Sequence, residues 1–112
     1  MRRFVAIACL AVLSTAVLVA TAPAATPVYK GTVGPGFTIK LAKVPKKAGK
    51  TKIVVADLSS SHNFHLTGPG VNVKTSVGGK GTKTFTVTLR KGTYTYVCDP
   101  HKSFMKGSFK IR

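Results

Sequence analysis

The sequence predicts an all-β fold, a sandwich or barrel of short strands. Three observations predict it. Several short runs alternate apolar and polar residues with a period of two, the runs recur about every 8–12 residues, and Gly and Pro fall between them. No run shows the 3.6-residue period of an amphipathic helix, and no repeat or linker divides the chain after its N-terminal stretch.

The first alternating run is residues 37–41, where Phe37, Ile39 and Leu41 share a face. Residues 44–52 are Lys-rich and contain Pro45 and Gly49, a turn signal. Residues 52–58 carry Ile53, Val54 and Val55 and read as a short buried strand. Residues 62–66 are the next candidate, and Gly68-Pro69-Gly70 breaks it. Residues 71–77 are weakly strand-like, and 78–81 (Gly-Gly-Lys-Gly) form a loop. Residues 84–89 alternate through Phe85, Val87 and Leu89. Gly92 opens the run 93–98, and 107–111 is the final strand, with Phe109 and Ile111 on one face.

The N-terminal stretch has a different character. Arg2 and Arg3 precede an apolar run over residues 4–20, interrupted only by Ser14 and Thr15. Ala22 and Ala24 then supply small residues at −3 and −1 of a cleavage site. That is the layout of a secretory signal peptide. The run is at the short end for a bilayer span, which needs ~20 apolar residues, and no stop-transfer pattern follows it. The expected organisation is a signal peptide, residues 1–24, and one domain, residues 25–112. The expected destination is the periplasm, the cell envelope or the exterior.

Charge narrows the chemistry. Eighteen Lys and Arg oppose only two acidic residues, Asp57 and Asp99, for a net +16. Removing Arg2 and Arg3 with the leader leaves +14. Two carboxylates are too few for a paired-carboxylate glycosidase or a carboxylate cage around Mg²⁺ or Ca²⁺. The apolar share of 44% is that of a folding chain. Nucleic acid is not expected as a partner, because neither a groove-reading helix nor an aromatic stacking platform is evident. Lys43, Lys46, Lys47, Lys50 and Lys52 make a basic stretch that reads either as a solvated hairpin or as an electrostatic docking face.

Beyond residue 24 the chain holds a single cysteine, Cys98, which in an exported protein points to a free thiol, an intermolecular bond or a metal ligand. Cys98, His101 and Met105 stand at the spacing C-x₂-H-x₃-M, and His62 lies on a separate run. One thiolate, two imidazoles and a thioether suit copper cycling between Cu(I) and Cu(II); zinc would have little use for the thioether. Period-two alternation puts Tyr94, Tyr96 and Cys98 on one face, so two aromatics carry the thiol inward. The same reasoning turns His62 inward with Phe64 and Leu66, and leaves Asn63 and His65 on the outer face.

Three segments taken together resemble the cupredoxin family of small type 1 (blue) copper proteins, of the plastocyanin and amicyanin kind: Ser61-His62-Asn63-Phe64-His65-Leu66, Gly92-Thr93-Tyr94-Thr95-Tyr96-Val97-Cys98-Asp99-Pro100-His101, and Met105-Lys106-Gly107. The resemblance implies a Greek-key β-sandwich of eight strands or slightly fewer, with one copper near one end. It implies His62, Cys98, His101 and Met105 as the metal ligands, with His62 from the His-Asn pair and Met105 axial. Two departures stand out: Asp99 replaces the familiar Ser or Thr, and the His-to-Met spacing lies between those of amicyanin and plastocyanin. The function so implied is one-electron transfer between redox partners, not enzymatic catalysis. The expected partner of such a basic chain is an acidic redox protein, membrane-bound or free, and the carrier itself is expected to be a monomer. Two alternatives belong to other classes: a copper carrier or chaperone without a redox partner, and a module binding anionic envelope components through its lysines.

Overall fold

The computed structural model describes residues 8–22 and 24–112. Residues 8–22 form no regular element and are exposed, and residues 1–7 and 23 of the expected signal peptide lie outside the described residues. Among the described residues no helix is long and apolar enough to cross a membrane.

Eight strands follow: β1 (Val28–Val33), β2 (Ile39–Leu41), β3 (Gly49–Asp57), β4 (His65–Gly68), β5 (Val71–Lys74), β6 (Gly81–Leu89), β7 (Gly92–Val97) and β8 (Lys106–Ile111). They form two four-stranded sheets, in the orders β2-β1-β3-β6 and β5-β4-β7-β8. All pairings are antiparallel except β1 with β3. The expected all-β sandwich is the observed fold.

Alternation explains which face each strand buries. In β3, Thr51, Ile53, Val55 and Asp57 point inward; in β6, Val87 and Leu89 do, and in β7, Tyr94 and Tyr96. Their side chains meet in one core with Val33, Phe64, Leu66, Cys98, Met105, Phe109 and Ile111. Two stacked aromatic pairs brace the second sheet, one from the loop before β4 to β7 and one between β7 and β8. Phe64 lies against Tyr96 with centroids 5.5 Å apart, and Tyr94 against Phe109 at 5.3 Å. Glycine is required where a tyrosine ring covers backbone: Gly107 pairs with Tyr96 across the β7–β8 ladder, and a Cβ there would run into the ring.

Register divides the sandwich into two poles. Asp57 pairs with Val33 and Gly81, and Gly49 with Leu89, so β3 runs the length of the first sheet. At about 3.3 Å per residue its nine residues separate the poles by ~26 Å. The loops at the Asp57 end carry His62, Cys98, His101 and Met105. The loops at the Gly49 end carry the lysine stretch and the β6–β7 turn with Arg90 and Lys91. At that second pole the hydroxyl of the buried Tyr94 accepts from the Arg90 N–H at 2.9 Å and donates to the Pro69 carbonyl at 3.0 Å, closing two turns with one side chain.

Two expectations from alternation need correction. The run 62–66 is not one strand: β4 begins at His65, and His62, Asn63 and Phe64 are all buried in the preceding loop. Asn63 is therefore not an outer-face residue, because outside a strand the period of two no longer applies. His65 is not a free surface group either. Its Nδ1 lies 2.8 Å from Asp99 Oδ1 and its Nε2 2.7 Å from Asn72 Oδ1, which leaves the ring half-buried.

Candidate metal centre

Two loops build the site. The first descends from β3. The Asp57 carboxylate accepts the Ser59 N–H at 3.0 Å, and the Ser59 hydroxyl accepts the Ser61 N–H at 3.1 Å, a pair of tight turns that deliver His62. The following residues are pinned from inside. Phe64 N–H donates to Thr75 Oγ1 at 2.9 Å, and Thr75 N–H donates back to the Phe64 carbonyl at 2.9 Å.

The second loop leaves β7 at Cys98. Pro100 suits the first turn of a short 3-10 segment, Asp99–His101, because it has no N–H to satisfy there. His101 N–H donates to the Cys98 carbonyl at 3.0 Å, Met105 N–H to the His101 carbonyl at 2.8 Å, and Cys98 N–H to the Met105 carbonyl at 3.0 Å. These three bonds fold Cys98, His101 and Met105 back on one another, which the short C-x₂-H-x₃-M spacing permits.

Asn63 clamps the two loops together. Its Oδ1 accepts the Asp99 N–H at 2.8 Å, and its Nδ2 donates to Asp99 Oδ2 at 2.8 Å and to the Thr75 carbonyl at 3.3 Å. Asp99 is thus held between Asn63 and His65. Burial pushes its carboxyl up, but hydrogen bonds from His65 and Asn63 and the charges of His65 and Lys74 outweigh that and hold it below its ordinary value.

The residues singled out from sequence come together. His62, Cys98 and His101 present one ligand atom each, all within 4.8 Å of one another. The two Nδ1 atoms are 3.1 Å apart, and Cys98 Sγ lies 3.7 Å from that of His62 and 3.6 Å from that of His101. A point equidistant from these three atoms lies about 2.0 Å from each, within the bonding range of a metal to imidazole nitrogen and close to that for thiolate sulfur. Met105 is buried beside them, joined to Cys98 and His101 through its backbone. With a thioether in the set, these four side chains are arranged as a type 1 site for a single copper.

His62 and Cys98 are buried, and His101 is partly exposed. Over them sits Phe37, 65% exposed, with its ring centroid 5.3 Å from that of His62, 5.1 Å from His101 and 5.8 Å from Phe104, itself 59% exposed. Phe37 was expected to be the first residue of a strand, yet β2 begins two residues later. The loop before it closes through Gly34 N–H to the Thr38 carbonyl at 2.8 Å. Gly34 has φ +74°, and a Cβ on it would approach Ser59 within 2.9 Å, so glycine lets this loop fold against the His62 loop. Phe37 carried no signal in the sequence as part of this site; its approach to His62 and His101 is a tertiary contact.

The comparisons agree with this geometry. The family model described as copper binding proteins, plastocyanin/azurin family, matches residues 30–112. Among solved structures, auracyanin from the photosynthetic bacterium Roseiflexus castenholzii is 18% identical, with a TM-score of 0.55 over 80% of this chain and 99% of that one. Rusticyanin from Thiobacillus ferrooxidans is 21% identical, with a TM-score of 0.57 over 80% and 79% of the two chains. A Cu(I) amicyanin variant is 18% identical, with a TM-score of 0.54 over 76% and 82%. No curated protein matches the chain. With the family match spanning most of its length, over the sandwich that carries the thiol and the two imidazoles, the chain belongs to the copper-binding plastocyanin/azurin family, the cupredoxins.

Proposed function

We propose that this cupredoxin is exported, with residues 1–24 as its leader and 25–112 as the working domain, and that it carries single electrons between redox partners as a monomer. His62 Nδ1, Cys98 Sγ and His101 Nδ1 would hold the copper, with the Met105 thioether as the fourth ligand. The observation that carries the reading is the convergence of one thiol and two imidazoles, 3.1–3.7 Å apart, on loops locked by backbone hydrogen bonds. Bound copper supplies a one-electron couple, Cu(I)/Cu(II).

What the chain contributes is a site that need not move. The bonds among Cys98, His101 and Met105 hold three donors on one short loop, and the Asn63 clamp holds the fourth. Donors fixed in one arrangement for both oxidation states keep the reorganisation accompanying electron transfer small. Cys98 belongs to the same core as Phe64, Leu66 and Tyr96, which excludes water from the thiolate side. The partly exposed His101, framed by Phe37 and Phe104, is the path by which an electron leaves.

The partner that fits is an acidic redox protein docking on this aromatic rim. Lys102 and Lys106 flank it and are exposed. Redox encounters are small and brief, so long-range charge governs their rate more than their tightness. The second-order rate of electron transfer with the physiological partner should fall steeply as salt shortens the screening length to about 10 Å. Lys102→Gln with Lys106→Gln should slow it more than Lys46→Gln with Lys47→Gln. A rate indifferent to salt and to all four lysines would contradict docking at this end by an acidic partner.

A further inference from the structure

The pole opposite the copper site has an electrostatic character of its own. Lys43, Lys46 and Lys47, on a loop pinned by the buried Pro45, and Lys50, at the start of β3, are all exposed. They border an open groove of about 990 Å³ whose other wall is the chain entering the domain, from Ala24 to Pro27. Arg90 and Lys91 are exposed at the same end, since Leu89 pairs with Gly49. Both acidic residues of the chain lie at the other pole, Asp57 at the end of β3 and Asp99 beside Cys98. No negative side chain therefore offsets this cluster. The ~26 Å length of β3 exceeds the screening length of about 8–10 Å near physiological salt, so the two poles act as separate electrostatic surfaces.

The groove also has apolar character: Val44 is 38% exposed on the lysine loop, and Ala48 and Pro27 line the same space. The apolar run of residues 4–20 enters the fold here, because β1 starts at Val28 and pairs there with Lys52. The few residues between Ala20 and Val28 reach ~25 Å at most, at about 3.3–3.6 Å each. While that run engages a membrane, whether as leader or as anchor, the lysine pole is the part of the domain closest to it.

We propose that the lysine pole is a docking surface for an anionic phospholipid bilayer. Lys43, Lys46, Lys47 and Lys50 would meet headgroup phosphates, and Val44 would rest at the interface. The copper site would then face away from the lipid, open to its partner. Charge complementarity and the entry point of the apolar run single out lipid as the occupant. The inference stands apart from the electron-carrier reading, since it uses none of the copper-site residues.

The test is co-sedimentation of the exported protein with vesicles of phosphatidylcholine alone and of phosphatidylcholine mixed with phosphatidylglycerol. Binding to the neutral vesicles reports any remaining apolar run, and the gain on adding anionic lipid reports the lysines. Each lysine near an anionic surface contributes about fivefold to partitioning, so Lys46→Gln, Lys47→Gln and Lys50→Gln together should cut the gain on the order of a hundredfold. The control of equal charge change is Lys40→Gln, Lys80→Gln and Lys83→Gln, all toward the copper end, and it should keep most of the gain. Retained copper-site absorption in both triple variants checks that they fold. No gain on anionic vesicles, or equal losses in the two triple variants, would overturn the proposal. Binding to soluble polyphosphate without binding to anionic vesicles would overturn it in favour of an anionic polymer.

Discussion

The copper pole and the lysine pole are made by the loops at opposite ends of the same eight strands, yet they are stabilised differently. At the copper pole most polar groups are paired: His62, Asn63 and Thr75 are buried, the partly exposed Asp99 is held by Asn63 and His65, and among the described residues only Asp57 Oδ2 is buried without a hydrogen-bond partner. At the lysine pole charges are left in water, while the structure beneath depends on packing and on the two hydrogen bonds of Tyr94. A site that holds a metal needs fixed donors, and fixed donors in a low-dielectric setting must have every partner supplied. A surface that meets a diffuse anionic partner needs only an unbalanced field and can leave its side chains mobile.

The comparison can be broken most sharply at the metal site. His62→Ala should abolish the blue absorption of the Cu(II) protein, whereas His65→Ala should keep it, because His65 reaches Asp99 and Asn72 and not the donor triangle. The lysine-pole triple variant should leave the spectrum unchanged. The reverse order for the two histidines would show that the donor set is misassigned.

Packing gives the next largest effects. Gly107→Ala forces a methyl into the Tyr96 ring and should lower stability by about 1–3 kcal/mol, read by denaturant unfolding. Tyr94→Phe leaves the Arg90 N–H and the Pro69 carbonyl without their partner and should cost about 1–2 kcal/mol. Because Tyr94 serves the lysine pole, its loss should not move the visible band. Phe37→Ala should keep the colour and most of the stability, since the ring is 65% exposed, yet slow electron transfer to the partner several-fold. Unchanged transfer kinetics would remove Phe37 from the docking rim.

The smallest effect concerns pH. The Asp99 carboxyl is held below its ordinary value, so its contribution to stability is complete above the unfolded carboxylate value of about 3.9. It is lost as pH falls through the lower folded value. Asp99→Asn removes that contribution, and the stability difference between wild type and variant should shrink below about pH 4. The carboxylate is 39% exposed, so solvent screening keeps the effect modest. A difference that grows as the pH falls would have the wrong sign for this pairing.

Local signals made most of the fold legible. The apolar run Ile53-Val54-Val55 locates β3, and alternation locates β6, β7 and β8 within a few residues, because each buries one face of a sheet. It does not reveal β1, whose sequence Val-Tyr-Lys-Gly-Thr-Val lacks a clean period of two. Gly31 occupies an inward position there because Leu41 and Phe64 fill its space: each comes within 3.2 Å of where a Cβ would stand. Its parallel partner β3 lies about twenty residues on, so no hairpin signal marks the pairing. The donor loop is legible because Cys98, His101 and Met105 are close in sequence. The Asn63 tie to the Cys98 loop is legible from the His-Asn pair, whereas Phe37 over the histidines and His65 clamped by Asn72 are not, because each depends on loops that meet only in the folded chain.

The visible absorption of the purified, copper-loaded protein tests the central claim most directly. Copper held by His62, Cys98, His101 and Met105 would give one intense copper–thiolate band at about 600 nm in the Cu(II) state, bleached reversibly by one electron equivalent. A copper-loaded, oxidised protein that stays colourless would contradict it.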